Sequence, residues 1–249
     1  MRQVPQYLII GNGRVARHLC HYFSLPEIHL PYRHWHRALP VQQLRDWQKD
    51  ATHILLAIRD GAIEPFCDAH LKGTSATKVH FSGSLVTDRA FGAHPLMTFG
   101  AALYPPEKYP AIPFLVDDNA PDFAALLPGL PNPHARLPRA EKAKYHALCV
   151  MAGNFSCILW QNLFSFLEND LGLPPATAHM YLQQQTENLL TDPRRALTGP
   201  LVRGDEATIA RNIASLADSP YQDVYKAFVT AWRQDNNRNN ETCERKKIS

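Results

Sequence analysis

Apolar residues recur through the first half of the chain in short runs, each followed by a stretch with helical spacing. Tyr7-Leu8-Ile9-Ile10 leads into a helix over Arg14 to Phe23, and Ile28-His29-Leu30-Pro31-Tyr32 precedes a helix over Val41 to Lys49. His53-Ile54-Leu55-Leu56-Ala57-Ile58 precedes a helix opened by Asp60 and running towards Leu71. Lys78-Val79-His80-Phe81 is a further strand, and Ile112-Pro113-Phe114-Leu115-Val116 a late one, which Pro113 places near a sheet edge. Strands alternating with helices predict a parallel, doubly wound sheet.

The second half changes period. From Arg139 to about Leu171 the spacing is helical, ending at Gly172. Pro174-Pro175 starts another helix through Leu190, Asp205 caps one through Leu216, and Ser219-Pro220 starts a last one to about Trp232. No strand signal appears there. The fold class is therefore α/β, a doubly wound N-terminal domain followed by an all-α C-terminal domain. Pro and Gly cluster between Pro128 and Pro138, which sets the expected domains at 1–133 and 134–235. The polar, Asn-rich stretch 236–249 is expected to be a disordered tail.

The first strand ends in Gly11-Asn12-Gly13-Arg14-Val15-Ala16, a G-x-G-x-x-A sequence at a strand-to-helix turn. Gly11 allows the tight turn, Gly13 lets a pyrophosphate approach the backbone, and Ala16 keeps the helix close to the sheet. The helix N-terminus then offers unpaired N–H groups to phosphates, so a dinucleotide site is expected here. A cofactor without a 2′-phosphate usually meets an acid at the end of the second strand. This chain instead carries Arg33-His34-Trp35-His36-Arg37 at that place. Arg33 and Arg37 would clamp a 2′-phosphate and Trp35 would stack on adenine, which favours NADP (NADPH) over NAD.

Composition narrows the classes. A formal charge of +3, with basic residues scattered, argues against a nucleic-acid partner. The five cysteines are odd in number and form no C-x-x-C pair, so neither a disulfide framework nor a metal site is expected, and the default setting is the cytoplasm. No apolar run reaches the ~18 residues of a membrane span, so no membrane partner is expected. A helical second domain rich in Leu, Ala and aromatic residues points to a homodimer.

Five stretches carry a family resemblance. They are Ile10 to Ala16; His80-Phe81-Ser82-Gly83-Ser84; His94-Pro95-Leu96-Met97-Thr98-Phe99; Lys142-Ala143-Lys144-Tyr145-His146-Ala147 with Asn154; and Leu197 to Asp205. The chain resembles the Rossmann-like oxidoreductases whose C-terminal half is the domain of unknown function 2520. That family is similar to pyrroline-5-carboxylate reductase and to the wider 6-phosphogluconate dehydrogenase group. The resemblance implies a Rossmann domain plus a helical dimerisation domain of the 6-phosphogluconate dehydrogenase kind. Two positions depart from the family pattern: Asn212 stands where a histidine is expected, and Arg59 precedes Asp60 where a smaller or apolar residue is usual.

Ligands in open α/β sheets sit at the C-terminal ends of the strands. Ile58 and Arg59 should flank the cofactor, and Ser82 and Ser84 should bring hydroxyls to its nicotinamide side and to the substrate. His94 is expected in a loop, held by Pro95 and able to give a proton as hydride arrives. Lys142 and His146 lie four residues apart, about 40° apart on one helix face, and Asn154 lies about 80° further round and roughly 12 Å along. His94, His146 and Asn154 are the candidate catalytic residues. Thr198 and Arg203 sit in a Gly- and Pro-flanked loop, where Arg203 would hold a substrate carboxylate. The expected activity is NADP-dependent hydride transfer to a small imine, keto acid or related carboxylate. The alternatives are a non-catalytic NADP-binding sensor or assembly protein and, because His94-Pro95-Leu96 with Phe99-Gly100 resembles the His-Pro loop of prephenate dehydrogenases, oxidation of a cyclic carboxylate.

Overall fold

The computed structural model describes residues 4–248, with side chains described through residue 236. The chain forms two compact units, 1–161 and 162–249. The tail expected at 236–249 lies outside the described side chains, apart from its first residue.

The first unit is built on a seven-stranded sheet. Its strands are β1 (Tyr7–Ile10), β2 (Tyr32–Trp35), β3 (His53–Leu56), β4 (Thr77–His80), β5 (Phe91–Pro95), β6 (Phe114–Asp117) and β7 (His134–Leu137), in the order β2-β1-β3-β4-β5-β6-β7. Strands β2 through β5 pair in parallel across β1, β3 and β4, β6 is antiparallel to β5, and β7 is parallel to β6. The chain leaves β1 and β3 in opposite lateral directions, and the crevice that opens at such a reversal is where open α/β sheets bind ligands.

Both faces of the sheet are covered, which is why β1 and β3 read as unbroken apolar runs. On one face Tyr7, Ile9, Leu55 and Val79 pack with Ala16, Leu19 and Phe23 of α1 (Arg14–Ser24). Phe123 and Leu126 of the short α4 (Phe123–Leu126) join the same cluster. On the other face Leu8, Ile10, Ile54 and Leu56 meet Leu44 of α2 (Val41–Asp50) and Ile63 and Cys67 of α3 (Asp60–His70).

Several expectations shift. The second strand is Tyr32–Trp35 rather than 28–32, because residues 25–31 form a turn in which Ile28 and His29 both donate backbone N–H groups to the Leu25 carbonyl. Ile28 and Leu30 pack on the core from that turn, so their apolar character came from burial without strand pairing. His94 lies in a strand, β5, and not in a loop. The late strand β6 is interior rather than at an edge: Pro113 precedes it, where its missing N–H costs no ladder bond, and its carbonyl accepts from the Leu96 N–H. The edge on that side is β7, hidden in the sequence within the proline-rich stretch.

The helical run after β7 opens with a 3₁₀ turn, Arg139–Glu141, and continues as α5 (Lys142–Cys149). A π-helical turn, Val150–Phe155, then leads into α6 (Ser156–Asn169). The run is long and apolar enough to cross a membrane by length and composition, although polar residues interrupt its apolar stretch in the sequence. Its first turn nevertheless places Lys142 in a buried ion pair with the sheet, so that end is docked on the first unit.

The second unit is helical where described. It contains α7 (His179–Thr191), α8 (Pro200–Arg203), α9 (Glu206–Ser215) and α10 (Tyr221–Ile248). The segment around Arg203 is thus a one-turn helix between Gly199 and Gly204, both at positive φ, and not an open loop. Asp205 caps α9 as expected, its side chain accepting from the Thr208 N–H.

At φ +130° Gly11 leaves no room for a side chain, since a Cβ would overlap the Ala57 carbonyl oxygen. Gly11→Ala should therefore destabilise the protein by about 2 kcal/mol or more, read as a lower urea midpoint. A midpoint unchanged from wild type would show that the turn can rearrange.

Candidate functional site

The glycine turn, the end of β3 and the end of β4 converge at one end of the sheet. Gly11 is buried against Ala57 and Ile58, whereas Asn12, Gly13 and Arg14 are exposed. Nothing lies within 4 Å of the position a Gly13 Cβ would take. Gly13 is the N-cap of α1 and provides no side-chain cap, and the first turn holds no acid. Those free N–H groups and the open space beside them fit a pyrophosphate. Ala16 is buried under the helix and Val15 packs on the core, so α1 lies close to β1.

One residue near this turn differs from expectation. Trp35 is buried, packs against Phe66 and donates its indole N–H to the Pro40 carbonyl, so it is a core residue that no adenine can reach. The Arg33 guanidinium lies 3.3 Å from Asp50 and over the Trp47 ring, while Arg37 is exposed in the turn after β2. His34, which sequence reasoning passed over, bonds through Nε2 to the Gly11 carbonyl at 2.5 Å. With β2 in its observed frame, Arg33 and Trp35 share one face and His34 takes the other, which carries it to the glycine turn.

At the end of β4, the Ser82 hydroxyl donates to the Asp60 carboxylate at 2.5 Å and accepts from the Leu85 N–H at 2.9 Å. Ser84 also donates to Asp60, at 3.4 Å. Asp60 sits in the first turn of α3, where negative charge is favoured by the helix dipole, and Arg59 is the exposed N-cap residue. This ties the Ser82–Ser84 turn to α3.

Across Gly83 lie two histidines. A Cβ on Gly83 would overlap the His146 ring and come within 3.1 Å of His94 Cδ2. The two rings stand perpendicular with centroids 5.7 Å apart. His94 Nδ1 is 2.9 Å from the Tyr145 hydroxyl. Tyr145 is a site residue the sequence reading missed, although it stands three residues from Lys142 and so meets the same helical spacing criterion as His146.

Burial sets the protonation. Desolvation first, then the neighbouring His146 and Lys142, push His94 down to about 4. Desolvation likewise drives His80 down to about 4, and its Nε2 has no partner among the described residues. Burial, with the Cys149 thiol beside it, raises the Tyr145 phenol, so it stays protonated. The bond to Tyr145 couples the two groups: a phenol donating to Nδ1 leaves the ring proton of neutral His94 on Nε2, and a phenol accepting from His94 places it on Nδ1. His94 is therefore neutral at pH 7.

Lys142 is not near solvent. It and Asp117 are each 2% exposed in their side chains and 2.5 Å apart. Asn154 is exposed and falls in the π turn, so the 80° offset from His146 expected of an unbroken α-helix does not apply. Thr198 and Arg203 are exposed within the second unit.

The profile of the domain of unknown function DUF2520 matches residues 117–231. No curated protein sequence matches the chain. Among solved structures it is similar to a protein of Bacteroides fragilis assigned as an NADP oxidoreductase, with 19% identity, a TM-score of 0.72, and coverage of 91% of this chain and 97% of the other. It is also similar to a reductive aminase from Aspergillus terreus solved with a reduced NADPH form, cyclohexanone and allyl amine (13% identity, TM-score 0.62, coverage 94% and 95%). A third is 1-pyrroline-5-carboxylate reductase from Streptococcus pyogenes (12% identity, TM-score 0.54, coverage 91% and 95%). These likenesses establish the fold, a Rossmann-like domain followed by a helical one.

Buried His80 and half-buried His94 are neutral in the folded protein and take up a proton near pH 6.5 when unfolded. The unfolded state therefore binds more protons between about pH 6.5 and pH 4, and stability falls as pH falls through that window, by up to about 1.4 kcal/mol per pH unit for each group. Calorimetry at pH 7.5, 5.5 and 4.5 should show falling midpoints, with His80→Gln flattening the decline. An equally steep decline in that variant would remove His80 as a cause.

Proposed function

We propose that the protein is an NADP-dependent oxidoreductase that reduces a small imine, keto acid or related carboxylate. The observation that carries this reading is the open phosphate cradle at Gly13 in the same strand-end region as the polar cluster around Gly83. Gly11, Asn12, Gly13 and Arg14 would hold the pyrophosphate, with Val15 and Ala16 setting the helix behind them. Ile58, Arg59 and Ser82 would flank the ribose and nicotinamide. The cofactor, when bound, supplies hydride.

The 2′-phosphate falls to Arg33 and Arg37. The pair between Arg33 and Asp50 is exposed and worth at most about 1 kcal/mol, so Arg33 can exchange the carboxylate for a phosphate. His94, His146 and Asn154 would act on substrate, with Ser84, Thr198 and Arg203 binding it. With the Tyr145 phenol donating to Nδ1, neutral His94 would offer its Nε2 N–H as a hydrogen bond to a carbonyl oxygen or an imine nitrogen.

Leu148, Met151, Phe155 and Ile158 are exposed apolar residues along the run from α5 through the π turn into α6. A second copy of the chain is the partner we assign to it, making a cytoplasmic homodimer. Light scattering should give twice the 28.1 kDa chain mass, and Met151→Glu with Phe155→Glu should give one. A monomeric wild type would remove this assignment.

The cofactor test is fluorescence titration with NADPH and NADH. Wild type should bind NADPH at micromolar concentration. Arg33→Ala with Arg37→Ala should weaken NADPH at least tenfold, about 1.4 kcal/mol, and leave NADH unchanged. With NADPH and cyclic imines, His94→Ala should cut turnover about a hundredfold at unchanged NADPH affinity. If neither nucleotide binds, the oxidoreductase reading fails; if NADPH binds and His94→Ala changes nothing, the protein is a sensor.

A further inference from the structure

The ion pair between Lys142 and Asp117 lies directly beside the His94 cluster. Asp117 closes β6, accepts the Gly92 N–H of β5 at 2.8 Å through Oδ2, and meets Lys142 of α5 at 2.5 Å through Oδ1. One carboxylate thus joins three elements. Gly92 makes this possible, because a Cβ there would overlap Lys142 Nζ and come within 2.6 and 2.7 Å of the two Asp117 oxygens.

Gly92 and His94 are two residues apart on β5 and so share a face, about 6.6 Å apart along the strand. Lys142, Tyr145 and His146 share a face of α5, with the latter two about 4.5 and 6 Å along the axis. The two steps match, so Lys142 lies over Gly92 while Tyr145 and His146 lie at His94. Apolar packing does not hold this register. Lys142 is the one fully buried residue of α5, its other inward residues are Tyr145, His146 and Cys149, and Ala147 and Leu148 are exposed. Slipping α5 by one turn, about 5.4 Å, would bury two uncompensated charges.

We propose that the buried pair of Lys142 and Asp117 is the positioning device that fixes α5 on β5 and holds Tyr145 and His146 at His94. This rests on reading the His94 cluster as the reacting site. Neither member touches substrate; both act through His94.

The test uses Lys142→Met with Asp117→Asn, which removes both charges and keeps an oxygen for the Gly92 N–H. NADPH affinity should stay within twofold of wild type, whereas turnover with NADPH and a cyclic imine falls at least tenfold. The deciding readout is the ¹⁵N shift of His94 Nδ1 at pH 8, where the ring is neutral in either protein. It should move towards the value of a free tautomer mixture as the Tyr145 bond is lost. A folded double variant with wild-type Nδ1 shift and turnover overturns the proposal and leaves the pair a stabilising contact. If wild type turns over no imine, the imine substrate fails as a reading of the site, yet the ¹⁵N shift still decides the positioning role. Should the double variant fail to fold, Gly92→Ala displaces the pair with both charges kept; an unmoved Nδ1 shift there overturns the proposal equally.

Discussion

A parallel sheet has to be covered on both faces, and nearly everything else in the first unit derives from that constraint. Alternate residues of β1 and β3 feed two separate cores: Tyr7, Ile9 and Leu55 go to the α1 side, and Leu8, Ile10, Ile54 and Leu56 to the side of α2 and α3. Helices on both faces require crossovers, and the crossovers leave β1 in one direction and β3 in the other. The crevice between them is therefore a product of coverage before any ligand is considered. Its tightness appears at Gly11, where the turn touches the Ala57 carbonyl and only hydrogen fits.

The polar cluster obeys a different logic. Helix α5 presents Lys142, Tyr145 and His146 to the sheet and exposes Ala147 and Leu148, the reverse of an ordinary surface helix. On this polar inward face the pairing is specific: Lys142 with Asp117, Tyr145 with His94. Pairing of this kind carries information that apolar packing lacks, because only one register satisfies it. The same desolvation that makes mispairing expensive keeps His94 and His80 neutral. Position and protonation of the candidate site thus share one physical origin.

The sequence by itself determined the class of fold and the place of the glycine turn, because strand period, helix caps and the φ freedom of glycine are local properties. Asp205 as an N-cap and Gly172 at the close of the long helix were legible for that reason. It named His94 and His146 together, although from separate elements. Only the tertiary structure decided what depends on partners distant in the chain. Trp35 reads as a stacking platform until β2 is framed at Tyr32–Trp35 and buries it. That His94 is neutral follows from burial and its neighbours. Strands β5 and β7 were hidden because their character comes from the pairing of β5 with β4 and β6, and of β7 with β6, not from apolar runs of their own. Lys142 reads only as a neighbour of His146 on one helix face until Asp117, twenty-five residues earlier, closes on it, and no local pattern encodes that contact.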